Sequence, residues 1–205
     1  ATSYTKPQSY YEYDLVTSEV KLVWQEEIPG YNPDEFIEIS TYYTSKDGTQ
    51  IPLTYSYKVS TQVNGATPVF LYGYGGYNIS IRPSFTPKYV AWLELGGVFA
   101  VANIRGGGEF GKSWHDAGRL DNKQNVFDDF LYASKYLEAQ NVGNRKSTVI
   151  SGRSNGGLLV GATLIQNPDY FGATLPAVGV LDMLRFTEFT EGWGWRGDYG
   201  SPLLN

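Results

Sequence analysis

The stretch Thr148-Val-Ile-Ser-Gly-Arg-Ser-Asn-Gly-Gly-Leu-Leu-Val-Gly-Ala162 decides how the rest of the chain is read. Its first residues form a short β-branched run, Gly152-Arg153-Ser154-Asn155-Gly156 is a G-x-S-x-G, and from Gly157 to Gln166 the chain is apolar at helical spacing. A serine at the apex of a strand, tight turn and helix is a nucleophile elbow. Such a turn holds the serine in a strained backbone conformation with its hydroxyl exposed, and only small flanking residues let the neighbouring backbone pass. The following helix aims its first amides at the serine, so the backbone N–H of Asn155 is placed to stabilise an oxyanion. The competing reading is a chance match in a glycine-rich chain, and the strand–turn–helix setting weighs against it.

Working outward, Val69-Phe-Leu-Tyr72 and Val98-Phe-Ala-Val-Ala102 read as buried strands, and Pro87 to Leu95 between them as a helix opened by its proline. Val126 to Gln140 carries Phe127, Phe130, Leu131, Tyr136 and Leu137 at roughly helical spacing, with Asp128 and Asp129 near the favourable N-terminal end. Ala173 to Val180 is expected as the strand after the elbow helix. Strands alternating with helices predict a mostly parallel sheet covered on both faces, an α/β-hydrolase arrangement that stops one strand after the nucleophile helix. The N-terminal residues read differently. Tyr10 to Leu15, Glu19 to Trp24 and Glu35 to Ile39 look like a β-meander, and Asp47-Gly48, between Tyr42-Tyr43 and Ile51 to Tyr55, is a hairpin signal.

A second glycine-rich segment, Leu71-Tyr-Gly-Tyr-Gly-Gly-Tyr-Asn-Ile-Ser80, follows a strand where such folds place the other oxyanion donor. Tyr74 is the candidate through its hydroxyl; an aromatic turn packed under a loop fits the spacing equally well. Gly106-Gly-Gly-Glu-Phe-Gly111, with Lys112-Ser113 after it, has the spacing of a phosphate loop, but no helix clearly opens from it in the sequence, and it is expected to form a flexible rim. A serine nucleophile needs a base, yet the only histidine, His115, precedes Ser154, whereas this fold orders serine, acid, histidine. His115 therefore reads as a structural or rim histidine, and the acid and histidine are expected beyond Asn205. The start at Ala1, with Met183 the sole methionine, reads as a truncated or cleaved chain.

Composition narrows the remaining classes. The net charge of −5 comes with scattered Lys and Arg, which leaves no electrostatic footprint for nucleic acid. No run of about 18 apolar residues suggests a membrane partner. With no cysteine and one histidine, neither a metal nor an organic cofactor is expected. Absence of cysteine suits a reducing or an oxidising compartment alike.

With these residues in hand, the sequence resembles the prolyl oligopeptidase family of serine peptidases from about Tyr10 to its end. The resemblance rests on Leu71 to Ser80, Ala102-Asn-Ile-Arg-Gly-Gly-Gly-Glu-Phe-Gly111, Asn122-Lys-Gln-Asn125 with Asp128-Asp129, Ser154-Asn-Gly-Gly-Leu158, and Val178-Gly-Val-Leu-Asp-Met-Leu184. It implies that residues 1–26 are the end of a β-propeller and residues 27–205 an incomplete α/β-hydrolase peptidase domain. It also implies Ser154 as nucleophile, the Asn155 N–H and Tyr74 hydroxyl as oxyanion hole, and Tyr77, Val180, Trp195 and Tyr199 as a proline pocket, with Trp195 stacking on the prolyl ring. Without the resemblance, Trp193 and Trp195 read equally well as core. The implied partners are short proline-containing peptides and the remaining C-terminal part of the same protein. Rival readings are a relative of different specificity, such as an acylaminoacyl peptidase, and a non-catalytic binding protein. Arg153 and Tyr77 depart from the glycine and phenylalanine usual in the family.

Overall fold

The computed structural model describes residues 1–202. In chain order, β1 (Ser9–Tyr13) and β2 (Val20–Gln25) form a two-stranded antiparallel sheet of their own. Then come β3 (Phe36–Thr44), β4 (Gln50–Lys58), β5 (Val69–Tyr72), α1 (Pro87–Glu94), β6 (Val98–Ala102), α2 (Lys112–Asp116), α3 (Gln124–Ala139), β7 (Thr148–Arg153), α4 (Asn155–Gln166), β8 (Ala173–Ala177) and the one-turn α5 (Arg196–Tyr199). The main sheet has six strands in the order β3-β4-β6-β5-β7-β8. β3, β4 and β6 pair antiparallel; β6, β5, β7 and β8 are parallel.

β6 shows why the centre of this sheet reads as an unbroken apolar run. All five of its residues are buried, because both faces are covered. Val98, Ala100 and Ala102 point to one face, where they meet Leu53, Leu71 and Ile150 with Phe130 and Leu137 of α3 and Leu159 of α4. Phe99 and Val101 point to the other face, against Val90 and Leu93 of α1, Phe36 and Tyr4. The segment ahead of β1 thus lies on the α/β unit: Tyr4 packs edge-on against Phe99 and its N–H donates to Glu38. The β1–β2 ribbon leaves Tyr10, Tyr11, Leu22 and Trp24 about half exposed.

The α/β-hydrolase arrangement with helices on both faces is the one found, and the βαβ unit β5–α1–β6 is parallel as expected. Four local readings change. The runs expected at Glu35 to Ile39 and at Tyr42-Tyr43 fall in one strand, β3, which starts at Phe36, since a ladder needs backbone groups only and Ser40 and Thr41 pair with Thr54 and Leu53. The strand expected to Val180 ends at Ala177, where Val178 turns to φ 44°. Asp129 does not cap α3 electrostatically. It is buried and accepts from Arg105 Nε (2.9 Å) and Nη2 (2.6 Å), from the Arg105 N–H and from the Ser45 hydroxyl. Finally, Gly106–Gly111 is no loose rim. Gly106 is buried, its N–H donates to Trp114 O and its carbonyl accepts from Asn78 N–H, and α2 opens directly behind the loop.

Candidate active site

Ser154 stands between β7 and α4 with φ 58° and ψ −117°, a region that costs a non-glycine residue energy, and its side chain is exposed. Its N–H is tied to Ala177 O at 2.9 Å, so the end of β8 holds the turn from below. Two glycines make the turn possible. A Cβ on Gly152 would lie 2.2 Å from Gly156 O, and one on Gly156 would lie 2.7 Å from Gly73 O. Asn155 is the first residue of α4, where an amide has no acceptor within its own helix and is available to a ligand.

The loop after β5 runs beside the elbow: Gly73 N–H donates to Ser151 O, and Gly75, Tyr77 and Asn78 all have positive φ. That left-handed run is held by its neighbours. The buried Asn155 side chain donates to Tyr74 O (2.6 Å), while its Oδ1 accepts from Lys123 Nζ (3.0 Å) and from the Tyr199 hydroxyl (2.9 Å). Lys123 Nζ also donates to Gly75 O (2.9 Å), and the Tyr77 N–H donates to Asp198 (2.9 Å). Burial, and after it the Asp198 carboxylate, push the Tyr74 phenol above its ordinary pKa, so at neutral pH it is a hydrogen-bond donor. The structure therefore brings Tyr74 and Asn155 together around the elbow.

The aromatic positions form one wall. Tyr77 meets Tyr199 edge-on at 5.7 Å, and Tyr199 meets Phe186 edge-on at 5.5 Å. Phe186 in turn lines a cavity of about 210 Å³ with Val180, Phe189 and Trp195. Trp195 is half-buried, whereas Trp193 is exposed at 62%, so of the two indoles only the first faces the cavity. Burial raises the Tyr77 and Tyr199 phenols well above their usual values, which keeps this wall neutral.

The chain's only histidine is paired with Asp198. His115 Nε2 is 2.7 Å from Asp198 Oδ1, and its side chain is 17% exposed. Asp198, Lys123 and Phe186 are the site residues that sequence reasoning did not single out. Lys123 sits in the quoted Asn122-Lys-Gln-Asn125, which was its one signal; Asp198 lies in the one-turn α5 and Phe186 in a 3-10 turn, both too short to show periodicity. Among the described residues there is no group of three or more His, Cys, Asp or Glu able to hold a metal, and no helix long and apolar enough to cross a membrane.

The model of the "Prolyl oligopeptidase family" matches residues 83–203. This chain belongs to the prolyl oligopeptidase family. The prolyl endopeptidase of Elizabethkingia meningoseptica is 46% identical over 200 residues, covering 98% of this chain. That of Dictyostelium discoideum is 43% identical over 197 residues, covering 95%. Among solved structures, prolyl oligopeptidase B of Galerina marginata, bound to a 25mer macrocyclization substrate, superposes with a TM-score of 0.93 at 38% identity, over 99% of this chain and 29% of that one. The chain spans 28% of the Elizabethkingia relative and 26% of the Dictyostelium one.

Proposed function

We propose that this chain supplies the nucleophile, the oxyanion hole and the proline pocket of a serine peptidase that hydrolyses short peptides on the carboxyl side of proline. The observation that carries the reading is the strained, exposed Ser154 flanked by the Asn155 amide and the Tyr74 loop. In this reading Ser154 Oγ attacks the scissile carbonyl, its proton passes to a base, and the carbonyl π pair moves onto oxygen. The Asn155 N–H and the Tyr74 hydroxyl receive that oxyanion, which is stronger binding than the planar carbonyl obtains and so lowers the barrier. Collapse expels the amine, which takes the proton, and leaves an acyl-enzyme on Ser154 that water cleaves.

The pocket supports proline in the residue before the cut. A flat apolar slot suits a cyclic side chain, with the Trp195 face against the ring and Tyr77, Val180 and Tyr199 bounding it. Tyr77 in place of the family's usual phenylalanine adds a hydroxyl to this wall. With His115 bound to Asp198, the base and its acid come from a part of the parent protein outside this sequence. We further propose that β1 and β2 are the last strands of a propeller domain, which accounts for a ribbon exposing so many aromatic side chains.

The test is labelling of the full-length parent with a fluorophosphonate, alongside cleavage of a short peptide with proline before the scissile bond. Expected is labelling that Ser154→Ala abolishes and cutting after proline. Labelling with no preference for proline would sink the specificity, and no labelling at all would leave a non-catalytic binding protein.

A further inference from the structure

The Gly75 carbonyl and the Asn155 side chain are joined by one buried ammonium. Lys123 lies at the start of α3, with its side chain only 13% exposed. Its ammonium donates to Gly75 O at 2.9 Å and to Asn155 Oδ1 at 3.0 Å, stands 3.9 Å from Asp198 Oδ2, and lies 5.4 Å from the centre of the Tyr199 ring. Gly75 follows Tyr74 directly, and Asn155 Nδ2 donates to the Tyr74 carbonyl. Lys123 therefore ties the loop carrying one oxyanion donor to the residue carrying the other, and places both beside the pocket wall. A buried ammonium is costly unless its donors are used, so its retention here requires these acceptors. The loop gains from such a tether, because two of its positive-φ residues, Tyr77 and Asn78, are not glycines.

We propose that Lys123 is a positioning residue of the oxyanion hole: by bridging Gly75 O and Asn155 Oδ1 it fixes the separation of the Tyr74 hydroxyl and the Asn155 amide. The proposal rests on the peptidase reading above. It deepens that reading by assigning transition-state stabilisation to a residue that never touches the reacting atoms. Asn155 acquires a second role, since its backbone binds the oxyanion while its side chain transmits the lysine's constraint.

The test uses two ligands of the full-length parent that differ at one carbon. A short peptide ending in prolinal is attacked at its aldehyde carbon by Ser154 Oγ; the serine proton goes to the base and the π pair to the oxygen, which enters the oxyanion hole. The same peptide ending in prolinol fills the pocket and forms no adduct. Lys123→Met is expected to weaken prolinal inhibition and to lower kcat by about 10- to 100-fold, with prolinol affinity and KM within about twofold of wild type. Lys123→Cys alkylated with 2-bromoethylamine, which restores an amine at nearly the same reach, is expected to regain most of the loss, with wild type alkylated in parallel as control. If Lys123→Met does not fold, the cysteine variant before and after alkylation gives the same comparison. Equal loss for both ligands would make Lys123 merely structural, and no loss for either would remove the role altogether; both overturn the proposal. Failure of wild type itself to bind prolinal would instead refute the peptidase reading.

Discussion

Gly152→Ala puts the elbow to its most direct test. The added Cβ would meet Gly156 O at 2.2 Å and Gly156 C at 2.5 Å, both backbone atoms that no rotamer change can move aside. Reaching ordinary contact requires the first turn of α4 to retreat by about 1 Å, an overpacking strain of about 1–3 kcal/mol. That retreat drags Asn155 and opens the turn around Ser154, and a displacement of about 1 Å at a reacting group costs on the order of 100-fold in rate. The assay is the second-order rate of fluorophosphonate labelling of the full-length parent, with Gly197→Ala as control. A Cβ at Gly197 meets nothing within 4 Å and its φ is not positive. We expect labelling to slow about 100-fold in Gly152→Ala and about not at all in the control. Labelling of Gly152→Ala at the wild-type rate would falsify the claim that backbone contact between residues 152 and 156 sets the nucleophile.

Trp195→Ala should reduce the preference for proline over alanine before the scissile bond by about tenfold, read from the ratio of kcat/KM values for two matched peptides, because the ring loses its stacking face. Unchanged preference would place the pocket elsewhere. Phe130→Ala, at a fully buried position beneath Gly73, should destabilise the fold by about 3–5 kcal/mol and lower the urea midpoint; a shift under 1 kcal/mol would mean the site collapses around the gap. For pH dependence, burial holds the Lys123 ammonium down at about 8 while Asp198 favours its charged form. The polar groups facing it are Asp198 and Tyr199 from α5, Asn155 from α4 and Gly75 O. Activity that depends on the charged lysine is therefore full below pH 8 and falls as pH rises through it. Removing the opposing charge in Asp198→Asn should lower the lysine pKa further and move that limb to lower pH. A limb that stays put in kcat profiles of the two proteins would dissociate it from Lys123.

What the sequence disclosed, and what it withheld, divides by the range of the forces involved. The elbow and the β5–α1–β6 unit were legible because a glycine pair and short apolar runs act within a few residues. Ser40-Thr41 looked like an interruption since nothing local reports the Thr54 and Leu53 partners that carry β3 through. Asp129 matched a sound local rule, negative charge near a helix start, and was claimed instead by Arg105, 24 residues away in the loop after β6. Lys123 and Gly75 are 48 residues apart, and no periodicity relates them. The aromatic wall was named residue by residue only through family resemblance. Phe186, which joins its two halves, falls in a 3-10 turn with no pattern to mark it.

The strand order has a consequence for how the chain is made. β5 is bonded in the finished sheet to β6 and β7 alone, and both are synthesised after it. When Tyr72 leaves the ribosome, the β3–β4 hairpin can already close, but Val69-Phe-Leu-Tyr72 has no partner until Ala102 has followed. Those intervening residues, about 30, take roughly 2–6 s to add at about 5–20 residues per second. For that interval an apolar strand with free edges waits in the open, and α1, emerging in the middle of it, is the first element able to shelter its Phe70 face.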